Sequence, residues 1–148
     1  MKPVRTLILL ANEREARMLE NEGVGKGIHQ VRHLDRAQVS GDDIAYADQP
    51  GRSQPGVGAS HHGVEPSSSE VRQNRERFAA DLTQVLRSAW EKGGYDRLVV
   101  SAPPKMLGAL RDVRPEALTG ALLGELDKDL LHTPLDALAP HFEDFAAF

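Results

Sequence analysis

The sequence predicts an α/β fold, a mixed sheet with helices on its faces. Three patterns carry that expectation: three strand-like segments in succession before residue 35, a long amphipathic stretch from Glu70 to Lys92, and a short apolar run, Leu98-Val99-Val100, with helical spacing on either side. A meander followed by strand-to-helix crossovers closes into one mixed sheet.

Val4 to Ala11 is apolar on both faces, which suits a central strand. Asn12-Glu13-Arg14-Glu15 provides a turn, and Ala16 to Glu22 returns as a second strand. Periodicity leaves a short helix from Glu13 to Asn21 open as the alternative. Gly23, Gly25 and Gly27 break any regular element, and Ile28 to Leu34 alternates as a half-exposed third strand does. Residues 48–69 hold four Gly, three Pro and five Ser, with Val57 and Val64 the only branched aliphatics, so this stretch reads as a long flexible loop.

In the long helix, Val71, Phe78, Leu82, Val85, Leu86, Ala89 and Trp90 form one face, Ser67 and Glu70 suit a capping box, and Gly93-Gly94 supplies the stop. Arg75 lies close to the apolar stripe, so the first turns are expected to project past the sheet as a continuation of the loop. Arg97 to Ala102 reads as a buried parallel strand ended by Pro103-Pro104, and Lys105 to Arg111 as a short helix. In residues 117–131, Leu118, Leu122, Leu126 and Leu130 recur every four positions as in a helix, which leaves helix or strand open. Thr133-Pro134-Leu135-Asp136 reads as a helix start, with Leu135, Leu138, Phe142 and Phe145 on the buried face of a C-terminal helix.

A length of 148 residues with 40% hydrophobic content fits one domain over residues 1–148 with one modest core. Aromatics make up only 5%, so few are left to stack on bases. The net charge of −4 repels polyanions on average, which confines any nucleic-acid contact to a local patch. Cysteine is absent, which removes disulfides and thiolate metal sites. The apolar run Leu7 to Ala11 is too short for a signal peptide or a membrane span, so the expected address is the cytoplasm, with no membrane partner.

Two segments carry a family resemblance: Asp96-Arg97-Leu98-Val99-Val100-Ser101-Ala102-Pro103-Pro104-Lys105-Met106-Leu107-Gly108-Ala109-Leu110-Arg111 and Asp127-Lys128-Asp129-Leu130-Leu131-His132-Thr133-Pro134. Together with residues 48–52, the loop and Phe78-Ala79-Ala80-Asp81-Leu82, they resemble the bacterial host attachment protein family, bacterial relatives of the archaeo-eukaryotic release factor and Pelota superfamily. The resemblance implies the ribonuclease-H-like fold of the release factors' central domain and favours a strand in residues 117–131, giving about five strands. In peptide-release factors the exposed loop carries Gly-Gly-Gln, which assists water attack on peptidyl-tRNA. Here the loop reads His61-His62-Gly63-Val64-Glu65-Pro66-Ser67-Ser68-Ser69, and neither Gln49, Gln54 nor Gln73 follows two glycines, so fold is inherited without the hydrolytic tripeptide. Asn12 stands where the relatives suggest Asp.

The candidate contact set for rRNA or tRNA phosphate is Arg52, His61, His62, Arg72, Arg75 and Arg77. Glu65, Glu70 and Glu76 are interleaved, so the alternative is a solvated helix start with exposed ion pairs. Ser101 to Lys105 follows a strand and precedes a helix, where anions often bind, but its two prolines remove donors and favour a rigid turn. His29 and His33 share a face of a regular strand and, with His61 and His62, invite a zinc reading against that of ordinary surface histidines. Asp127, Asp129 and Glu125 invite a two-metal nuclease reading, against sheet-margin charges pairing with Lys128 or Arg111. No catalytic residue, cofactor, metal or small-molecule ligand is expected. The leading function is a non-catalytic binding module, ribosome- or translation-associated; the alternatives are a factor indirectly required for bacterial attachment to host cells and a metal-dependent hydrolase or nuclease.

Overall fold

The computed structural model describes residues 2–41 and 67–148. Five strands form one sheet: β1 (Thr6–Ala11), β2 (Glu15–Asn21), β3 (His29–Asp35), β4 (Arg97–Ser101) and β5 (Leu122–Leu126). Their spatial order is β3-β2-β1-β4-β5, with β1/β2 and β2/β3 antiparallel and β1/β4 and β4/β5 parallel. The mixed sheet expected from the order of elements is therefore present. β1 lies in the middle because all six of its residues are buried, and only a strand covered on both faces tolerates so continuous an apolar run.

Among the described residues four segments are α-helical, α1 (Arg36–Ser40), α2 (Ser68–Gly93), α3 (Pro104–Val113) and α4 (Glu116–Gly120), and the C-terminal segment contributes two 3-10 turns, Leu135–Ala137 and Ala139–Phe142, in place of the expected helix. One face of the sheet, Leu7, Leu9, Met18, Leu98 and Val100, packs under α2, α3 and α4 through Phe78, Leu82, Leu86, Met106, Leu110 and Leu118. Each large buried side chain contributes about 1.5–3 kcal/mol, so the stripe outweighs helix propensity in holding α2. Ser67 Oγ accepts from the Glu70 backbone N–H at 3.1 Å to open α2, and Gly94 closes it in the left-handed region at φ 65°. Val71 is the exception to the expected face, being exposed.

The start of α2 does not project past the sheet. Glu70 and Asn74 are buried, and Arg75 reaches Glu13 in the β1–β2 turn at 3.5 Å. An arginine beside an apolar stripe is as readily a brace as an overhang. α1, which the hydrophobic pattern misses, is closed by a reciprocal cap: Asp35 Oδ1 accepts from the Gln38 N–H at 2.8 Å, and Gln38 Oε1 accepts from the Asp35 N–H at 2.9 Å.

Residues 117–131 satisfy both readings in turn, since Leu118 lies in α4, Leu122 and Leu126 bound β5, and Leu130 follows in a turn. The C-terminal segment covers the second face, where Leu138 and Phe142 pack with Ile8, Leu10, Leu19 and Val99. Its apolar set is the expected one, but a continuous helix is not formed. Pro140 has no N–H to give and its ring clashes with the carbonyl four residues back, which limits the backbone to short 3-10 turns. No described helix is long and apolar enough to cross a membrane.

Candidate nucleic-acid interface

α2 and α3 both begin at the end of the sheet where β1 and β4 finish, as the Arg75–Glu13 contact and the Ala102-Pro103 link from β4 require. Ser68, Ser69, Val71, Arg72 and Arg75 from α2 and Lys105 from α3 line an open cleft of about 450 Å³ there. Among the described residues three cations and no carboxylate line it, and the positive ends of two helix dipoles add to the same sign. Arg72 and Lys105 are exposed, and neither is ion-paired to a described residue. Arg75 is mostly buried and its charge is partly answered by Glu13, so it braces the cleft while lining it.

The expected set divides. Arg72 and Arg75 share a helix face because three residues turn the chain by about 300°, whereas Arg77 lies about 200° beyond Arg75 and faces away. Its guanidinium instead donates to the Ser40 carbonyl at the end of α1. Arg52, His61 and His62 lie outside the described residues; the stretch that carries them joins the chain at Ser67, the cap of α2. Lys105 was absent from the expected set, because only the crossover from β4 to α3 brings it beside α2. In sequence it stands 30 positions from Arg75 with no periodic link to it.

The other candidate groups are committed elsewhere. Asn12 Oδ1 accepts from the backbone N–H groups of Arg14 and Glu15, both at 2.8 Å, and so shapes the β1–β2 turn. Ser101 donates its hydroxyl to the Lys128 carbonyl at 2.7 Å, and Pro103 accepts from the Leu107 N–H at 2.8 Å, the rigid strand-to-helix turn expected from the prolines. His29 and His33 do not share a face: a bulge in the β2/β3 pairing sets His29 opposite Glu20 and His33 opposite Arg17, whose side chains point to opposite sides. His33 instead meets Glu15 at 2.9 Å.

Asp127 and Asp129 fall beyond the end of β5 and share no strand face, and Asp129 accepts from the Leu131 N–H at 3.1 Å. Glu125 is gripped by Arg111 at 2.8 Å and Arg114 at 2.7 Å. Burial alone raises the pKa of that carboxyl, but hydrogen bonds from the two guanidiniums outweigh it and hold Glu125 below the usual carboxylate range. Among the described residues, no three His, Asp or Glu side chains gather as a metal site.

The model of one protein family matches residues 5–141. The chain belongs to bacterial archaeo-eukaryotic release factor family 12. That match carries the release-factor half of the expected kinship and no host-attachment description. Solved structures similar to this family member include an archaeal translation termination factor, aRF1, at 11% identity and a TM-score of 0.44, covering 82% of this chain and 29% of that one. Another is an archaeal protein at 12% identity and a TM-score of 0.44, covering 95% of this chain and 39% of its own. This chain thus spans well under half the length of either. No curated protein matches it in sequence.

Proposed function

We propose that this chain is a non-catalytic binding module of the translation apparatus, which holds ribosomal or transfer RNA by its phosphates through Arg72, Arg75 and Lys105. The observation that carries the reading is the cleft itself, three cations from two helices with no acidic lining among the described residues, on a chain of net charge −4. Family membership supports translation as the setting. Arg52, His61 and His62 extend the contact from the stretch that ends at Ser67, and Arg77 is left out of it. The contact is phosphate-directed and sequence-independent, because cations position a backbone without reading bases. The sequence holds no Gly-Gly-Gln, which supports binding without hydrolysis of peptidyl-tRNA. Any effect on attachment to host cells follows indirectly, through synthesis or assembly of surface components.

The test is co-sedimentation with ribosomes from the native cell across a salt series. The wild type is expected in the ribosomal pellet at low salt, with binding that falls at a log–log slope of about −2 for three phosphate contacts on single-stranded RNA. Arg72→Glu with Lys105→Glu should leave the protein in the supernatant while its melting curve is unchanged. Equal pelleting of the double variant, or a wild type found wholly in the supernatant at low salt, sinks the proposal. Release of peptide from peptidyl-tRNA by the purified protein would overturn its non-catalytic half.

A further inference from the structure

A second basic groove lies at the other end of α2 and shares no residue with the cleft above. Arg32 from β3 and Gln84, Val85, Ser88, Ala89 and Lys92 from α2 line an open space of about 370 Å³. β3 is the outermost strand, so the groove opens along the sheet edge. The register sets Arg32 opposite Met18, which places it on the α2 side of the sheet. Val85 and Ala89, half-buried against the core, form an aliphatic floor. Arg32 and Lys92 are exposed on either side of it, carry the only charges that described residues bring to the lining, and are not ion-paired to described residues.

We propose that this groove docks an acidic segment of a partner protein, with an aliphatic side chain seated on Val85 and Ala89 and flanking carboxylates on Arg32 and Lys92. Charge complementarity selects the occupant: two cations without a counter-charge among the described residues, in a chain with 22 acidic residues against 18 basic ones, favour an anionic guest. The floor favours protein over RNA, because between the two cations it presents Val85 and Ala89, which seat an aliphatic side chain and, among the described residues, give a base no ring to stack on. The bulge in β3 interrupts its outer edge, so recognition runs through side chains and not through addition of another strand.

The experiment is selection of displayed random peptides on the full chain, with counter-selection on Arg32→Glu/Lys92→Glu, followed by titration of the selected peptides. Enriched peptides should carry at least two carboxylates around an aliphatic residue and bind the double variant about tenfold more weakly or worse. Replacing those carboxylates by amides should abolish binding, and Arg72→Glu/Lys105→Glu should leave it intact. A lysine version of the same peptide captured by the Arg32→Glu/Lys92→Glu variant shows that the variant is folded. Enrichment of no peptide, of peptides without acidic residues, or of peptides that bind both proteins equally overturns the proposal. So does an oligouridylate whose binding is lost in Arg32→Glu/Lys92→Glu and retained in Arg72→Glu/Lys105→Glu, since the groove is then an RNA site.

Discussion

Tyr95 concentrates several of the residue-scale interactions around one hydroxyl. It donates to Glu20 Oε2 at 2.7 Å, Arg5 reaches the same oxygen at 3.1 Å, and the Arg5 guanidinium lies 4.7 Å from the centre of the Tyr95 ring. Burial, then the hydrogen bond to the Glu20 carboxylate and that carboxylate's charge, push the phenol up to about 12. Its folded pKa thus exceeds the unfolded value of about 10, so the stability it contributes is complete below about pH 10 and is lost as pH rises through about 12. Tyr46 is the only other tyrosine, so Tyr46→Phe isolates the signal. Absorbance of the phenolate should then show Tyr95 titrating near 12, and Glu20→Gln should bring the midpoint down; an unshifted midpoint in that variant means Glu20 is not the partner. At this scale the sequence was least informative. Glu20, Arg5 and Tyr95 are ordinary surface residue types until β1, β2 and the start of β4 bring them together.

At the scale of elements, Arg17 of β2 joins the sheet to the C-terminal segment. Its guanidinium donates to the carbonyls of Leu131 at 2.7 Å and Thr133 at 2.9 Å and to Gln30 Oε1 at 2.9 Å. Hydrogen bonds from a charged donor are worth about 1.5–3 kcal/mol each net of exchange with water, and the partial exposure of Arg17 lowers that sum, so Arg17→Met should lower stability by about 2 kcal/mol in urea unfolding. A change under about 0.5 kcal/mol means water replaces the guanidinium without loss. Strands and the long helix were legible because their periods, two and 3.6, are written in the residues they bury, as in Ala16/Met18 or Phe78/Leu82. α1 was missed although Asp35 and Gln38 spell out a cap, since it buries no residue fully and so leaves no apolar period. The bulge at β3 left no such mark, and it reversed the expected pairing of His29 with His33.

For the whole molecule, the sheet separates two apolar layers, one centred on Phe78 of α2 and the other on Phe142 of the C-terminal segment, and both rings are fully buried. Phe78→Leu and Phe142→Leu should each cost about 1–2 kcal/mol, and the double variant should add to within about 0.5 kcal/mol because no side chain is shared between the layers. Strong coupling in denaturant titrations means the layers deform together through β1. The two-sided burial of β1 and the α2 stripe are composition acting through a local period, so the sequence by itself determined that a mixed sheet would carry a long helix. It also determined that no Gly-Gly-Gln was present, and it marked Arg72 and Arg75 as neighbours. Only the tertiary structure decided that Lys105 joins them, that Arg77 leaves them for Ser40, and that Arg32 meets Lys92 across a groove. The reason is physical: periodicity reports which face a residue occupies within its own element, while contacts between elements follow from crossovers and register, which no local pattern encodes.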